Sequence, residues 1–467
     1  LIKAFFPEEN VSATAEDKKY EEEITLQFQV EYEPQQIKIE WKGKNQESHD
    51  RSFPVDFSDR TETKNELKQN FYQILSEITG KKLPWGTLTG IRPTKIPMKF
   101  LEEGKTEAEI RAYMQKTYFA SDEKIDLSID IAERELEILK NGYSLYIGIP
   151  FCPTTCLYCS FTSYPLVSWR QKVDSYLDAL EKELDYVAVK FGKKHLNSIY
   201  IGGGTPTTLE PYQLDRLIRK IRCSLDLSHC LEITVEAGRP DSITREKLET
   251  LRKWDITRIS INPQTMKDET LKIIGRRHTV AHTVESFQLA RELGFDDINM
   301  DLIMGLPEES LEDVRDTLEQ VKALKPDNLT VHSLALKRAA RLNMFKEDYK
   351  DYKMVNTTEH MNLTAEYAKK MGLEPYYLYR QKSMAGNLEN VGYASPGKAG
   401  IYNILIMEEK QTIVACGAGA STKRVWNTPN PDGTHRIERC ENIKDVALYI
   451  EKIDEMIQRK EELFAEE

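Results

Sequence analysis

No stretch of this chain approaches the ~18 consecutive apolar residues of a membrane-spanning helix. The opening Leu1-Ile-Lys-Ala-Phe-Phe-Pro7 is too short and too soon interrupted to read as a secretory leader. Low-complexity tracts are missing, and the one repeat is an alternation of strand and helix. Positive charge falls short of negative: 65 Lys and Arg against 76 Asp and Glu leave a net charge of −11, with no compact basic run. That field repels nucleic acid and disfavours a DNA or tRNA substrate. Cysteine is sparse, and seven, an odd number, do not make a disulfide framework. The expectation is a soluble, cytoplasmic, globular protein, acting as a monomer, with neither nucleic acid nor membrane as partner.

Three of those few cysteines stand together. Cys152, Cys156 and Cys159 form a C-x3-C-x2-C run in Gly148-Ile-Pro-Phe-Cys-Pro-Thr-Thr-Cys-Leu-Tyr-Cys-Ser-Phe161, directly after an apolar strand. Three thiolates can hold three irons of a [4Fe–4S] cluster and leave the fourth iron open. A closed zinc site would want four ligands, yet after the run the next cysteine is Cys223 and the next histidine is His195. Such an open site needs reducing, oxygen-poor surroundings. The cysteine run resembles that of the radical S-adenosylmethionine (radical SAM) superfamily, which implies that the amino and carboxylate groups of the cofactor take the open iron. The remaining cysteines, Cys223, Cys230, Cys416 and Cys440, are too irregularly spaced for a second cluster and read as structural thiols.

At 467 residues the chain is long enough for two or three domains. Residues 1–140 read as an N-terminal α+β domain and a possible cover for the substrate. Ile24–Glu33 and Gln36–Lys42 alternate at period two, helical patterns follow at Asn65–Ile78, Thr106–Tyr118 and Ser121–Leu139, and Pro84–Lys95 is a loop by its Gly and Pro content. Residues 141–374 alternate strand and helix six times, with strands at Tyr143–Ile149, Ser198–Ile201, Leu231–Glu236, Thr257–Ile261, Asp297–Leu302 and Asn328–His332. Parallel strands with right-handed crossovers make this a partial (β/α)6 barrel, so the fold class is α/β. Residues 375–467 form a C-terminal hairpin and helix extension, with strands expected at Tyr376–Arg380, Ile401–Glu408 and Thr412–Cys416 and a closing helix over Ile443–Leu463.

In such a barrel the site gathers where strands end. Gly202-Gly-Gly-Thr-Pro-Thr207 follows the second strand and lets backbone approach a ligand closely. Glu236 ends the third strand; its bland alternative is a rim salt bridge with Arg239. Gln264 follows the fourth strand, Arg276 offers a planar fork suited to a carboxylate, and Asp301 ends the fifth strand.

In this order the segments from Tyr143 to Lys423 resemble the HemN-like subgroup, typified by oxygen-independent coproporphyrinogen III oxidase. The resemblance implies that Tyr146, Gly203, Gly204, Thr205, Glu236, Gln264, Arg276 and Asp301 bind the cofactor. Leu-Thr-Gly-Ile-Arg-Pro-Thr-Lys95, Val-His-Ser-Leu-Ala-Leu-Lys-Arg-Ala-Ala-Arg341 and Tyr-Tyr-Leu-Tyr-Arg-Gln-Lys-Ser-Met-Ala-Gly-Asn387 are similar to the HemZ-type branch and extend the likeness over nearly the whole chain. There are departures. Phe161 stands where that subgroup carries a fourth cysteine, and of its second cofactor site only Ile303 and Ala335 match, with Asn390, Val391 and Lys423 replacing the rest. The oxidases' C-terminal helical domain has no counterpart.

The resemblance implies oxidative decarboxylation of two coproporphyrinogen III propionates to vinyl groups in porphyrin and haem biosynthesis, with flavodoxin or ferredoxin as electron donor. A tetrapyrrole with carboxylate side chains needs cations, and the candidates are Lys337, Arg338 and Arg341 after the sixth strand, Arg380 and Lys382, and Arg92 and Lys95. One alternative is a haem chaperone on the same fold, although Glu389-Asn-Val-Gly-Tyr-Ala394 lacks the histidine of that group's His-Asn-x-x-Tyr-Trp motif, leaving His332 as a substitute ligand. Another is a radical SAM enzyme that methylates or opens a tetrapyrrole.

Overall fold

A computed structural model describes the chain apart from residues 7–8, 10, 15–23, 44–46, 91, 137–141, 336–339, 345–348, 350–351, 381–387, 410, 431–434 and 466–467. Its centre is one eleven-stranded sheet. Six parallel strands come first in the chain: β4 (Tyr143–Ile149), β5 (Leu196–Gly203), β6 (Glu232–Glu236), β7 (Arg258–Ser260), β8 (Ile298–Met304) and β9 (Asn328–Ser333). β4 is largely apolar because both its faces are covered; Leu145, Ile147 and Ile149 are fully buried. The crossover helices include Val173–Phe191, Pro211–Ser224 and Leu311–Leu324. The last begins at a capping box in which Ser310 accepts the Asp313 N–H and Asp313 accepts that of Ser310.

The sheet continues past the barrel on both sides. Beyond β9 lie β11 (Asn390–Ala394), antiparallel to it, and then β10 (Glu374–Tyr379). Beyond β4 lies β12 (Thr412–Cys416), parallel to β4 in the register Val414 to Leu145, and then the hairpin β13 (Ser421–Pro429) and β14 (His435–Glu441). The fold class expected from sequence is therefore the observed one.

Two expectations differ. The closing helix expected over Ile443–Leu463 is two helices, Val446–Glu451 and Ile453–Leu463. Ile401–Glu408, expected as a strand, is a helix, and Thr412–Cys416 pairs with β4 instead of with that segment. A short apolar run does not distinguish strand from buried helix. The deciding contact is remote: the Glu232 carboxylate accepts the N–H of Ile401 at 2.9 Å and of Tyr402 at 3.4 Å, so a negative charge caps the helix N-terminus.

Near the N-terminus β1 (Leu26–Glu33), β2 (Gln36–Gly43) and β3 (Ser48–Pro54) form a separate antiparallel sheet. Its small cores, around Ile37, Ile39 and Ile74 and around Phe5, Tyr72 and Leu75, are distinct from the main one. The later N-terminal helices, Glu107–Tyr118 and Asp122–Leu136, instead send Ile110, Met114, Ile125 and Ile129 into the barrel's own core together with Trp85.

A buried polar knot fastens the C-terminal helix Ile453–Leu463. Lys460 Nζ donates to Glu183 Oε1 at 2.5 Å and to Asn442 Oδ1 at 2.7 Å, with Lys460 and Glu183 both fully buried. Glu183 also accepts from Asn442 Nδ2, the Gly417 N–H and the Tyr449 hydroxyl at 2.6–2.8 Å. Both carboxylate oxygens are occupied, which offsets the cost of drying the charges.

Candidate functional site

The cysteine loop hangs from the end of β4 and is stitched to three neighbours. Gly204 N–H donates to Ile149 O at 2.8 Å and Thr205 N–H to Phe151 O at 2.7 Å, fixing the glycine-rich turn after β5 against it. Leu157 N–H donates to Ile274 O at 3.0 Å and Thr154 Oγ1 to Gly275 O at 2.8 Å; Leu342 N–H donates to Leu157 O at 3.0 Å. Glycine is obligatory at 204: a Cβ there would lie 2.6 Å from Phe151 O and 3.0 Å from Cys152 Sγ. Gly203, at φ +104, supplies the bend that an L side chain rarely adopts.

Around the loop stand cations. Arg239 Nη1 lies 3.6 Å from Cys156 Sγ and bonds Thr154 Oγ1 at 3.0 Å, while its other nitrogens clamp Asp241 at 2.6 and 2.9 Å. The rim salt bridge between Arg239 and Glu236 is not formed. Burial pushes the Cys152 thiol up to about 12, opposed by the Thr205 hydroxyl at 3.5 Å, and burial likewise raises Cys159. Only a bound cation would keep these sulfurs as thiolates at neutral pH. Among the described residues no three His, Cys, Asp or Glu converge on one point that could hold a single ion. Soft thiolates spaced around a loop suit a cluster, whose irons occupy separate corners, and the three cysteines fit a [4Fe–4S] group with one iron left open.

The second half of the site is a corner of buried polar atoms at the ends of β7 and β8. Arg276 Nη1 donates to Asn262 O at 2.5 Å and Nη2 to Tyr158 OH at 3.2 Å. Arg276 Nε, Gln264 Oε1 and Asn262 Oδ1 are buried with no hydrogen-bond partner. Gln264 holds a left-handed φ of +70 and is locked there by Gln264 N–H to Asp301 O at 2.9 Å and Ile303 N–H to Gln264 O at 3.0 Å. Three orphaned groups in one corner mark a place where a polar ligand completes the bonding.

Two half-buried carboxyls face this corner with opposite tendencies. Burial, reinforced by the charge of Asp301, raises Glu236 to about 7, although it accepts the Tyr200 hydroxyl. Asp301 is half-buried too, but His332 at 3.8 Å, Asn299 Nδ2 at 2.7 Å and Thr330 hold it below its ordinary value. Near neutral pH Asp301 is an anion while Glu236 is shared between protonated and ionised forms. Tyr146 belongs to a stack, 6.3 Å from Tyr200 and 6.2 Å from Tyr402, with Tyr200 and Tyr402 4.5 Å apart. Ile303 is buried against Leu271 and Leu306, and Ala335 is half-buried just beyond β9.

Gly203, Gly204 and Thr205 thus meet the cysteine loop, and Glu236, Gln264, Arg276 and Asp301 meet around one corner. Among the described residues the proposed substrate cations do not gather. Arg92 is tied to Met407 O and Glu409, which also pairs with Lys95 and Lys423. Arg380 is buried, donates to Leu88 O at 2.7 Å and lies over the Trp85 ring. Arg341 lines a cavity outside the cysteine loop. Lys337, Arg338 and Lys382 lie outside the described residues. Sequence reasoning did not find Tyr200, Asn262 or Tyr402. Tyr200, a lone polar ring inside an apolar strand, carried a usable signal; Tyr402 was hidden by the misread helix.

Residues 146–321 match the family profile of the radical SAM superfamily. The chain is 42% identical over 435 residues to the Bacillus subtilis oxygen-independent coproporphyrinogen-III oxidase-like protein HemZ, covering 90% of this chain and 86% of that one. It is 41% identical over 195 residues to the heme chaperone HemW of the same species, covering 41% of this chain and 50% of HemW. Among solved structures, the radical SAM coproporphyrinogen III oxidase HemN of Escherichia coli shares the fold with a TM-score of 0.53 at 22% identity, over 72% of this chain and 74% of HemN. With cysteines, glycine turn and polar corner in place, the chain belongs to the HemZ-like, coproporphyrinogen-oxidase-like family of the radical SAM superfamily.

Proposed function

We propose that this protein oxidatively decarboxylates propionate side chains of coproporphyrinogen III to vinyl groups, yielding protoporphyrinogen IX without oxygen. The observation that carries the cofactor half of this reading is the corner of orphaned atoms on Asn262, Gln264 and Arg276 next to the loop that holds three free cysteines, Cys152, Cys156 and Cys159. When bound, a [4Fe–4S] cluster with S-adenosylmethionine on its open iron supplies a 5′-deoxyadenosyl radical. The substrate half is supported by the likeness to the coproporphyrinogen-III oxidase-like protein HemZ along 90% of the chain.

The protein's own residues position and exclude. The Arg276 fork suits the carboxylate of methionine, and the turn Gly203-Gly204-Thr205 suits its amino group. Ionised Asp301, held by His332, accepts from ribose hydroxyls, and Glu236 takes the same role above about pH 7. Gln264 offers its unpartnered oxygen to the ribose side. Burial keeps water from a reactive radical. For each side chain a β-hydrogen atom would pass to the 5′-deoxyadenosyl radical, giving 5′-deoxyadenosine, the bond to the carboxylate would break with release of carbon dioxide, and one electron would pass to an oxidised one-electron carrier.

The chaperone reading is weakened at a particular residue. Glu389, in the place of that group's histidine, is buried and accepts Trp85 Nε1 at 2.7 Å while pairing with Lys124 at 2.5 Å, so it serves packing of the N-terminal region. Anaerobic incubation of reconstituted protein with coproporphyrinogen III, S-adenosylmethionine and a reductant tests the proposal by product mass. Products one and two decarboxylations lighter are expected. Unchanged substrate together with a tight, stoichiometric haem complex would transfer the assignment to the chaperone.

A further inference from the structure

The cysteine loop has two faces. Its inner face meets the glycine turn and the polar corner. Against the loop also lies an open cavity of about 740 Å³, whose lining includes Pro153, Thr154 and Thr155, the residues between the first two cysteines, and reaches Arg276 of the polar corner. Pro165 and Val167 supply an apolar edge, and Val167 is 83% exposed. Phe161, 71% exposed, gives its backbone N–H to the Cys159 sulfur, so a large apolar side chain at the surface is one hydrogen bond from a proposed iron ligand.

The charge here runs against the whole molecule. On a chain of net charge −11, the cavity is lined by Lys272, Arg276, Arg277 and Arg341 against a single carboxylate, Asp268, which already accepts the Val280 N–H at 2.8 Å. Lys272, Arg277 and Arg341 are exposed. An apolar edge beside charges of one sign suits a protein contact, and those charges select a partner of the other sign and speed its arrival.

We infer that this cavity and rim are the docking surface for an acidic one-electron carrier protein. The inference rests on the proposed cluster at Cys152, Cys156 and Cys159. The cavity lies against residues 153–155 of the loop that carries the three cysteines, so a carrier seated there stands close to the proposed cluster. The carrier is oxidised by one electron, the cluster is reduced by one, and no bond is made or broken. The opposed charges order the encounter without the extensive apolar burial of a permanent complex, as suits a carrier that must leave.

The test uses reconstituted full-length protein mixed anaerobically with an acidic flavodoxin in its hydroquinone form, following bleaching of cluster absorbance by stopped flow. Lys272→Glu and Arg277→Glu together should slow bleaching at least tenfold at low salt and abolish the parent's decline in rate as salt rises. Photoreduction by 5-deazaflavin, a small reductant, should proceed at the parent rate in the same variant. Calorimetry of oxidised flavodoxin with the iron-free chain should likewise show weaker binding to the variant than to the parent. Parent-like rates and affinity in the variant overturn the surface, as does equal slowing with both reductants. A parent that takes up no iron yet still binds flavodoxin through this patch leaves the surface standing and removes the cluster reading.

Discussion

Two buried polar clusters in this protein are built alike and finished differently. In the knot around Glu183, Lys460, Asn442 and Tyr449 the carboxylate, the ammonium and the amide all have partners inside the protein. In the corner around Asn262, Gln264 and Arg276, three polar atoms have none. Leaving a buried polar group unpaired costs about 1–3 kcal/mol, so a fold that keeps three together holds a standing destabilisation that a ligand removes. The knot has the character of structure, and the corner that of a binding site.

The comparison breaks most sharply at the sulfur end of the open site. Replacing Cys152, Cys156 or Cys159 by Ala should abolish cluster formation and reductive cleavage of S-adenosylmethionine, checked by iron content and by release of 5′-deoxyadenosine. Thermal unfolding of the iron-free protein should hardly move, because these thiols take little part in the core. Full cleavage activity in any of the three variants would falsify the cluster assignment.

The closed knot should respond in the opposite sense. Lys460→Ala leaves the Glu183 charge buried and unpaired, and removing one partner of such a pair costs about 3–5 kcal/mol. Denaturant unfolding of the iron-free protein measures this. The affinity of the remaining folded fraction for S-adenosylmethionine should equal the parent's, whereas a stability loss under about 1 kcal/mol would mean the knot is solvated in solution.

Much of the open site was legible in the sequence and little of the closed one. The cysteine spacing, the glycines and the strand-end positions of Glu236, Gln264 and Asp301 lie within short segments whose pattern fixes both element and placement. The knot joins Glu183 to Lys460, 277 residues apart, and no local signal pairs them. The helix at Ile401 was missed for the same reason, since its cap is Glu232, 169 residues earlier. The substrate cations failed differently. Arg92 and Arg380 were read as available charge because sequence shows a residue type but not the Glu409 carboxylate or the Leu88 carbonyl that already engages it.

Arg276 sharpens the contrast within the open corner. Arg276→Ala should weaken S-adenosylmethionine binding roughly ten- to a hundredfold, the equivalent of a charge-assisted bond worth ~1.5–3 kcal/mol. The cluster's absorbance should persist, because the guanidinium meets the cofactor's carboxylate and holds no iron. Calorimetry against the reconstituted protein checks both statements, and unchanged affinity would return Arg276 to a purely packing role beside Tyr158.

The smallest effect belongs to Glu236, and its sign is the informative part. Its carboxyl is raised to about 7 in the folded protein, chiefly by burial, from an ordinary 4.5. Between those values the folded state holds a proton that the unfolded chain has released, so stability falls as pH rises from about 4.5 to about 7 and then stays level. Glu236→Gln keeps an acceptor for the Tyr200 hydroxyl but removes the ionisation. The variant should match the parent near pH 4.5 and exceed it by roughly 1–3 kcal/mol at pH 8 in the cofactor-free protein. Binding should run the other way, because the ionised carboxylate accepts from ribose hydroxyls better than an amide: the parent's affinity for S-adenosylmethionine rises through pH 7 and the variant's does not. Parallel stability curves from pH 5 to 8 would mean that Glu236 is solvated and ionised throughout, and the corner would then end at Gln264 and Arg276.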